Sequence, residues 1–254
     1  MTRFHSHKNW KILAGIISPM VFMVTGLPQG LPARANSDWL ISLEFPPTNA
    51  NNPSSTAGGG VRGNGAGNCI AENDALTALG PKDQKLTTVA ATPTLFFYIP
   101  EIINTVPRVP LEAELVITDK MGKDLAGTPL KLELPNQSGI IKLSLPEDIK
   151  LESGQEYIWQ FSIPCDPSDR GSDAWIQGTL QRTELTSSVL SELAGATPLK
   201  QAELYAQARI WNETLEIAAQ LREQDQTPWE QLLESVGLDQ LAEIPFVEVI
   251  TEEQ

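Results

Sequence analysis

Apolar side chains recur at every second position through the middle of this chain and at every third or fourth position beyond residue 188, and that change of period limits the fold to one class. Leu111, Ala113, Leu115 and Ile117 alternate with Glu112, Glu114, Val116 and Thr118. Leu130, Leu132 and Leu134 alternate with Lys131 and Glu133, and Ile141, Leu143 and Leu145 with Lys142 and Ser144. A period of two puts successive side chains on opposite faces of a strand, so these are half-buried antiparallel strands with one wet face. The stretch TLFFYIP, Thr94 to Pro100, is apolar on both faces as a central strand is, and its Phe96 and Tyr98 are placed to face a second layer. Such strands, separated by Pro, Gly and Asp turns, can bury their apolar faces only against one another. Over residues 69–186 that predicts an antiparallel β-sandwich. From residue 187 to 254 the spacing is helical. Thr197-Pro198 reads as an N-cap followed by a first-turn proline, LKQAELYAQARIWNETLEIAAQLRE carries the helical period, and Thr227-Pro228 opens a second short helix, PWEQLLESVG. The class is α+β, with a C-terminal helical hairpin and short helices. Because a lone hairpin has too little apolar surface to fold alone, it is expected to pack on the sandwich.

The first residues read as an export signal. Arg3, Lys8 and Lys11 precede the apolar run ILAGIISPMVFMVTGL, and Ala33-Arg34-Ala35 offers a small-x-small cleavage site after Ala35. The run is broken by Pro19 and is shorter than the roughly 20 residues of a spanning helix, so no membrane insertion is expected after cleavage. An extracytoplasmic location, periplasmic or secreted, follows. Residues 36–68 then hold DWLISLEF, read as a lone N-terminal strand or a peptide held loosely by the domain, and a linker rich in Gly, Asn and Pro. Within the linker, GGGVRGNGAGNC formally satisfies the glycine pattern of a dinucleotide loop. That use needs a strand before it and a helix after it, and FPPTNANNPSSTA cannot be a buried strand, so the stretch is read as a tether. The only cysteines, Cys69 and Cys165, are expected to pair in an exported chain.

The net charge is −14, and loss of residues 1–35 with Arg3, Lys8, Lys11 and Arg34 would make it −18. So acidic a surface disfavours nucleic acid and anionic lipid. Both histidines, His5 and His7, fall in the signal segment, which leaves the mature chain without an imidazole base or a histidine metal ligand. Carboxylate chemistry, a Ser-Lys pair or oxygen-ligated calcium would remain.

Leu151, Gly154 and Tyr157 are spaced as L-x-x-G-x-x-Y, which resembles the corner of fibronectin type III domains where a tyrosine hydroxyl turns back to the backbone just upstream, and the resemblance implies that the sandwich over residues 69–186 is of immunoglobulin or fibronectin-III type. Ala202, Tyr205, Trp211, Leu215, Ala218 and Leu221, followed by Pro228, resemble one tetratricopeptide unit, with Arg209 where that motif carries glycine and Thr214 where it carries alanine. No second copy exists, so a solenoid is excluded. Taken in order, PTLFFYIP, AELVITD, LPEDIKLESGQEYIWQFSIPCD, QGTLQR, LYAQARIWNETLEIAAQLRE and WEQLLESVGL resemble a secreted cyanobacterial family known only as domain of unknown function 928. The likeness runs from about Arg62 to Pro245 and implies no activity. In that family the helical block usually carries glycine where this chain has Arg209.

Three groups of residues invite a functional reading. CDPSDRGSD places Asp166, Asp169 and Asp173 around Gly171, but without the spacing of a calcium loop, and is read as a solvated loop; no metal is assigned. Glu112 and Glu114 share one strand face, the raw material of a glycosidase only if two acids converge across a cleft. The helical end is strongly acidic, and Tyr205, Trp211 and Trp229 are candidate anchors for a basic protein partner. No catalytic residue and no cofactor site is assigned. The expected role is an exported, non-enzymatic interaction or structural protein, with a carboxylate-based hydrolase of cell-envelope glycan as the alternative.

Overall fold

In a computed structural model, residues 42–47, 69–71, 74–103, 111–135, 137–166 and 168–251 are described, and all belong to one unit, Ile41–Gln254. The expected signal segment 1–35 and the glycine tether lie outside the described residues. Strands β1 (Thr77–Ala78), β3 (Thr94–Ile99) and β6 (Gly139–Ser144) form one sheet in the order β1-β3-β6. A larger sheet runs β2-β8-β7-β4-β5-β9, with β2 at Lys85–Thr88, β8 at Ala174–Arg182, β7 at Glu156–Ile163, β4 at Glu112–Thr118, β5 at Leu130–Glu133 and β9 at Ile250–Thr251.

The alternating residues lie as their period dictates. Ala113, Leu115 and Ile117 are buried while Glu112, Glu114 and Val116 are not. Tyr157, Trp159 and Phe161 line the inner face of β7. Phe97 of β3 stacks on Phe161, ring centroids 4.3 Å apart and 17° from parallel, and meets Trp159 edge-on at 5.6 Å. These rings join the small sheet to the large one. Gly178 lies opposite Trp159 in the β7–β8 register, and a Cβ there would come within 2.5 Å of both the indole and the Gln84 carbonyl oxygen. Only glycine lets the ring and β2 approach so closely.

One strand runs against the antiparallel expectation. β2 pairs parallel with β8, Lys85 beside Thr179 through Thr88 beside Arg182. Alternation specifies which face of a strand is buried and carries no information about its direction, so the pattern of β2 suits either pairing.

The predicted corner is formed. The Glu152 amide donates to Tyr157 Oη at 2.9 Å, across a turn in which Gly154 adopts φ of 77°. Cys69 and Cys165 are joined, with Cα atoms 5.3 Å apart and a sequence separation of 96. Closing so long a loop restricts the unfolded chain by on the order of 4–5 kcal/mol in the chain-entropy account.

Helices α1 (Ser187–Leu193), α2 (Pro198–Gln207), α3 (Trp211–Leu221) and α4 (Thr227–Val236) follow. Thr197 caps α2, its hydroxyl accepting from the Lys200 amide, with Pro198 in the first turn. Three residues connect α2 to α3, and Arg209 among them has φ of 61°. The Arg209 amide bonds the Ala206 carbonyl and the Ile210 amide that of Tyr205, the paired bonds of a Schellman end. The same pair recurs after α4, where Gly237 holds the left-handed position with φ of 78°. Helical structure stops at the short 3₁₀ turn Asp239–Leu241. The chain then returns to the sheets, Val247 and Pro245 bonding Ile140 of β6, and Ile250–Thr251 pairing with β5.

The helices and this returning strand cover the far face of the small sheet. Phe96 meets Phe246 at 6.4 Å and Phe246 meets Trp229 at 5.4 Å, both edge-on. That second cover is why β3 is apolar on both faces.

Candidate functional site

The start of α3 is where the helical layer is bonded to the strands, and its sequence shows why. Ile210 at the N-cap has no side-chain acceptor to offer the helix amides. Thr87 of β2 supplies the acceptor instead: its hydroxyl receives the Trp211 amide at 2.9 Å and donates to the Arg209 carbonyl. A glutamate at the third helical position ordinarily reaches back to its own N-cap. Here Glu213 Oε1 takes the Thr88 hydroxyl at 2.7 Å and the amides of Val89 and Ala90 at 2.9 and 3.1 Å, securing the loop after β2. Asn212 Nδ2 donates to the Thr94 carbonyl at 2.9 Å, and Trp211 Nε1 to that of Leu79 at 2.9 Å. The carboxylate at the N-terminal end of α3 also complements the helix dipole. Its charge is felt nearby: burial first, then the repulsion of Glu213, raises the pKa of Glu216, and the same two causes raise that of Tyr205.

Beside this junction an extended segment of the chain lies against the helices. Residues 42–45 alternate, with Leu43 and Phe45 buried at 1% and 5% exposure and Ser42 and Glu44 exposed, before Pro46-Pro47. Phe45 meets the Trp211 ring edge-on at 5.0 Å and 88°. The Leu43 amide donates to Gln231 Oε1 and the Phe45 amide to Ser235 Oγ, each at 3.0 Å and both on α4. Arg209 Nη1 donates to the Pro47 carbonyl at 3.4 Å. A cavity of about 330 Å³ remains beside the segment, lined by Ser42, Glu44, Phe45, Pro47, Gln231, Glu234 and Ser235. Side-chain hydrogen bonds to alternate amides, with two apolar side chains seated between them, form the arrangement by which a groove holds an extended peptide.

A larger pocket of about 480 Å³ opens at the tyrosine corner. Lys120, Lys123 and Lys150 line it together with Asp119, Asp124, Glu152 and Glu156. Some of its charges are engaged: Glu156 bridges Lys120 and, outside the pocket, Lys85 at 3.5 and 3.6 Å, and Asp119 Oδ1 receives the amides of Met121 and Lys123.

The residues singled out from sequence are scattered. Trp211 and Trp229 are 1% and 0% exposed, their indole N–H groups bonded to the carbonyls of Leu79 and Ala242, and Tyr205 is half-buried. Trp211 touches the bound segment from beneath; Trp229 belongs to the core under Phe246. The strand acids are tied into ion pairs. Arg170 grips Glu114 with both terminal nitrogens, the shorter contact 2.6 Å, and Asp173 through Nε at 2.7 Å, while Glu112 pairs with Lys131 at 3.1 Å. The Arg170 hydrogen bond lowers the Glu114 pKa, the reverse of what a general acid requires. Asp166 and Asp169 turn inward to their own loop, accepting from Ser168 and from the Gly171 amide.

Nothing local in the sequence marks Thr87, Thr88, Asn212 and Glu213, and the peptide around Leu43, expected as a lone strand or a loosely held segment, is docked on α4. The Leu-x-Phe spacing before Pro46-Pro47 was visible. Its partners, some 190 residues away, were not.

Residues 57–246 match the model of a family described as Domain of Unknown Function, DUF928. No curated protein matches the chain.

Proposed function

The chain belongs to the DUF928 family, and for it we propose the role of an exported, non-enzymatic interaction protein whose contact site is the groove between α3 and α4. The observation that carries this reading is the seating of residues 42–47, with two main-chain amides held by Gln231 and Ser235 and two apolar side chains buried. Nothing in that arrangement needs a reacting group. A groove that reads backbone amides and alternate side chains recognises extended peptide, and the acidity of the chain favours a partner that is basic outside the contact.

Export is supported by the signal-like first residues, with cleavage after Ala35. The Cys69–Cys165 disulfide and the fact that no helix among the described residues is long and apolar enough to cross a membrane are compatible with it. The same reading takes the facing sheets as a sandwich of immunoglobulin or fibronectin-III kind and α2–α3 as a helical hairpin. Its supports are the Phe97–Phe161 stack, the Tyr157 corner and the three-residue connection at Arg209.

The test is a display library of extended peptides screened against the full chain carrying Leu43→Glu and Phe45→Glu, which empties the groove. Enrichment of sequences with two apolar residues separated by one, lost when Gln231→Ala and Ser235→Ala are added, is the expected result. Selection of sequences without that spacing, or indifference to the α4 substitutions, would refute the groove as the contact site.

A further inference from the structure

We propose that residues 42–47 are an exchangeable ligand, and that the groove they occupy takes the same segment from a second copy of this chain. This rests on the reading of the groove as a peptide site and names its occupant.

Four observations point to exchange. The segment is held by long-range contacts: both bonded amides go to side chains of α4, and Phe45 rests on Trp211. It therefore leaves the groove without breaking a strand ladder. A second copy presents an identical Leu-x-Phe segment, so every contact made within one chain is available between two, which is what makes segment exchange inexpensive. The chain between Pro47 and Cys69, with six glycines from Gly58 to Gly67, is long enough to deliver the segment elsewhere; about twenty residues extend to at most roughly 70 Å. Finally, Glu44 and Glu234 line the same cavity, and two like charges there work against permanent docking.

At low concentration the tethered segment wins, because its tether gives it a high effective concentration at its own groove. Exchange needs either a crowded setting or a groove that has lost its own segment. Reciprocal exchange gives a closed pair with two-fold symmetry, in which each tether crosses to the partner.

Two full-chain variants test this. The acceptor carries Leu43→Glu and Phe45→Glu and has an empty groove. The donor carries Ser235→Arg and has a blocked groove with an intact segment. A labelled peptide with the sequence of residues 41–48 should bind the acceptor at least about tenfold more tightly than the unaltered chain, where the tethered segment competes. By native mass spectrometry each variant alone should be monomeric, and an equimolar mixture should give a one-to-one heterodimer. Peptide binding without pairing of the chains would overturn exchange between copies and leave the groove reading standing. Failure of the peptide to bind an acceptor that retains its disulfide and its far-ultraviolet dichroism would overturn both. Phe45→Ala, which removes the ring from Trp211 without adding charge, serves as acceptor if the doubly charged variant does not fold, and the same outcomes decide.

Discussion

The two faces of the small sheet are joined to the rest of the molecule by different physics. On one side Phe97 reaches Trp159 and Phe161 of the large sheet through ring contacts, the Trp159 indole N–H bonding the Thr179 carbonyl within that sheet. On the other lie the rings of Phe96, Phe246 and Trp229, and there the start of α3 is fastened by hydrogen bonds, Asn212 to Thr94 of the small sheet, Thr87 of the large sheet's β2 to the first helical amide, and Glu213 to three donors in β2 and the loop after it. Apolar contact is forgiving of direction and proportional to area, whereas the polar contact is specific to position and costly to break singly. The first kind makes the sheets adhere. The second decides where on the strands the helices sit.

The comparison is broken most strongly from the apolar side. Phe97→Ala removes a fully buried ring and is expected to cost about 3–5 kcal/mol in urea unfolding. A loss below about 1 kcal/mol would mean that the sheets are not held together at this point.

From the polar side, Glu213→Ala leaves the Thr88 hydroxyl and the Val89 amide without their acceptor and the Ala90 amide with the Thr88 hydroxyl alone. We expect a loss of about 2 kcal/mol, with amide exchange in α2–α4 accelerating before that of β7. Uniform acceleration across the chain would show that the junction has no local character. Tyr157→Phe removes the corner bond to the Glu152 amide within the large sheet and should cost about 1 kcal/mol. Unchanged urea unfolding would remove the corner from the account.

The two Schellman ends sharpen the comparison within the helical layer. Gly237 occupies the left-handed position freely, while Arg209 holds it against the crowding of its own Cβ. Arg209→Gly should therefore raise stability by up to about 1 kcal/mol, less the small contribution of its bond to Pro47. A fall in melting temperature would show that the arginine's contact with the segment outweighs backbone strain.

The smallest effect is electrostatic. Glu216 has a raised pKa from burial and the neighbouring Glu213, opposed by Lys142. The folded state therefore binds this proton more tightly than the unfolded chain does, so this site contributes increasing stability as pH falls through the folded pKa toward the ordinary value of 4.5. Glu216→Gln should stabilise modestly at pH 7, and its advantage should shrink on acidification. An advantage that grows as pH falls would reverse the assignment.

Much of the molecule was legible beforehand. The alternation in β4, β5 and β6 marked their buried faces, TLFFYIP announced a strand covered on both sides, and the Thr197-Pro198 pair marked the start of α2. These are readable because a period or a cap is local: the residues that carry the signal are neighbours in the chain. The L-x-x-G-x-x-Y corner belongs with them, since Tyr157 bonds only five residues upstream. The parallel pairing of β2 with β8, the use of Thr87 as a cap for a helix more than a hundred residues later, and the seating of Leu43 and Phe45 against α4 belong to tertiary structure. A hydroxyl, a carboxylate or an apolar pair looks the same in sequence whether it meets water or a distant partner. The sequence determined which side chains must leave water and in what local conformation. Only the folded chain decided which groups meet when they do, because one apolar surface suits many partners and a hydrogen bond is selected by position alone.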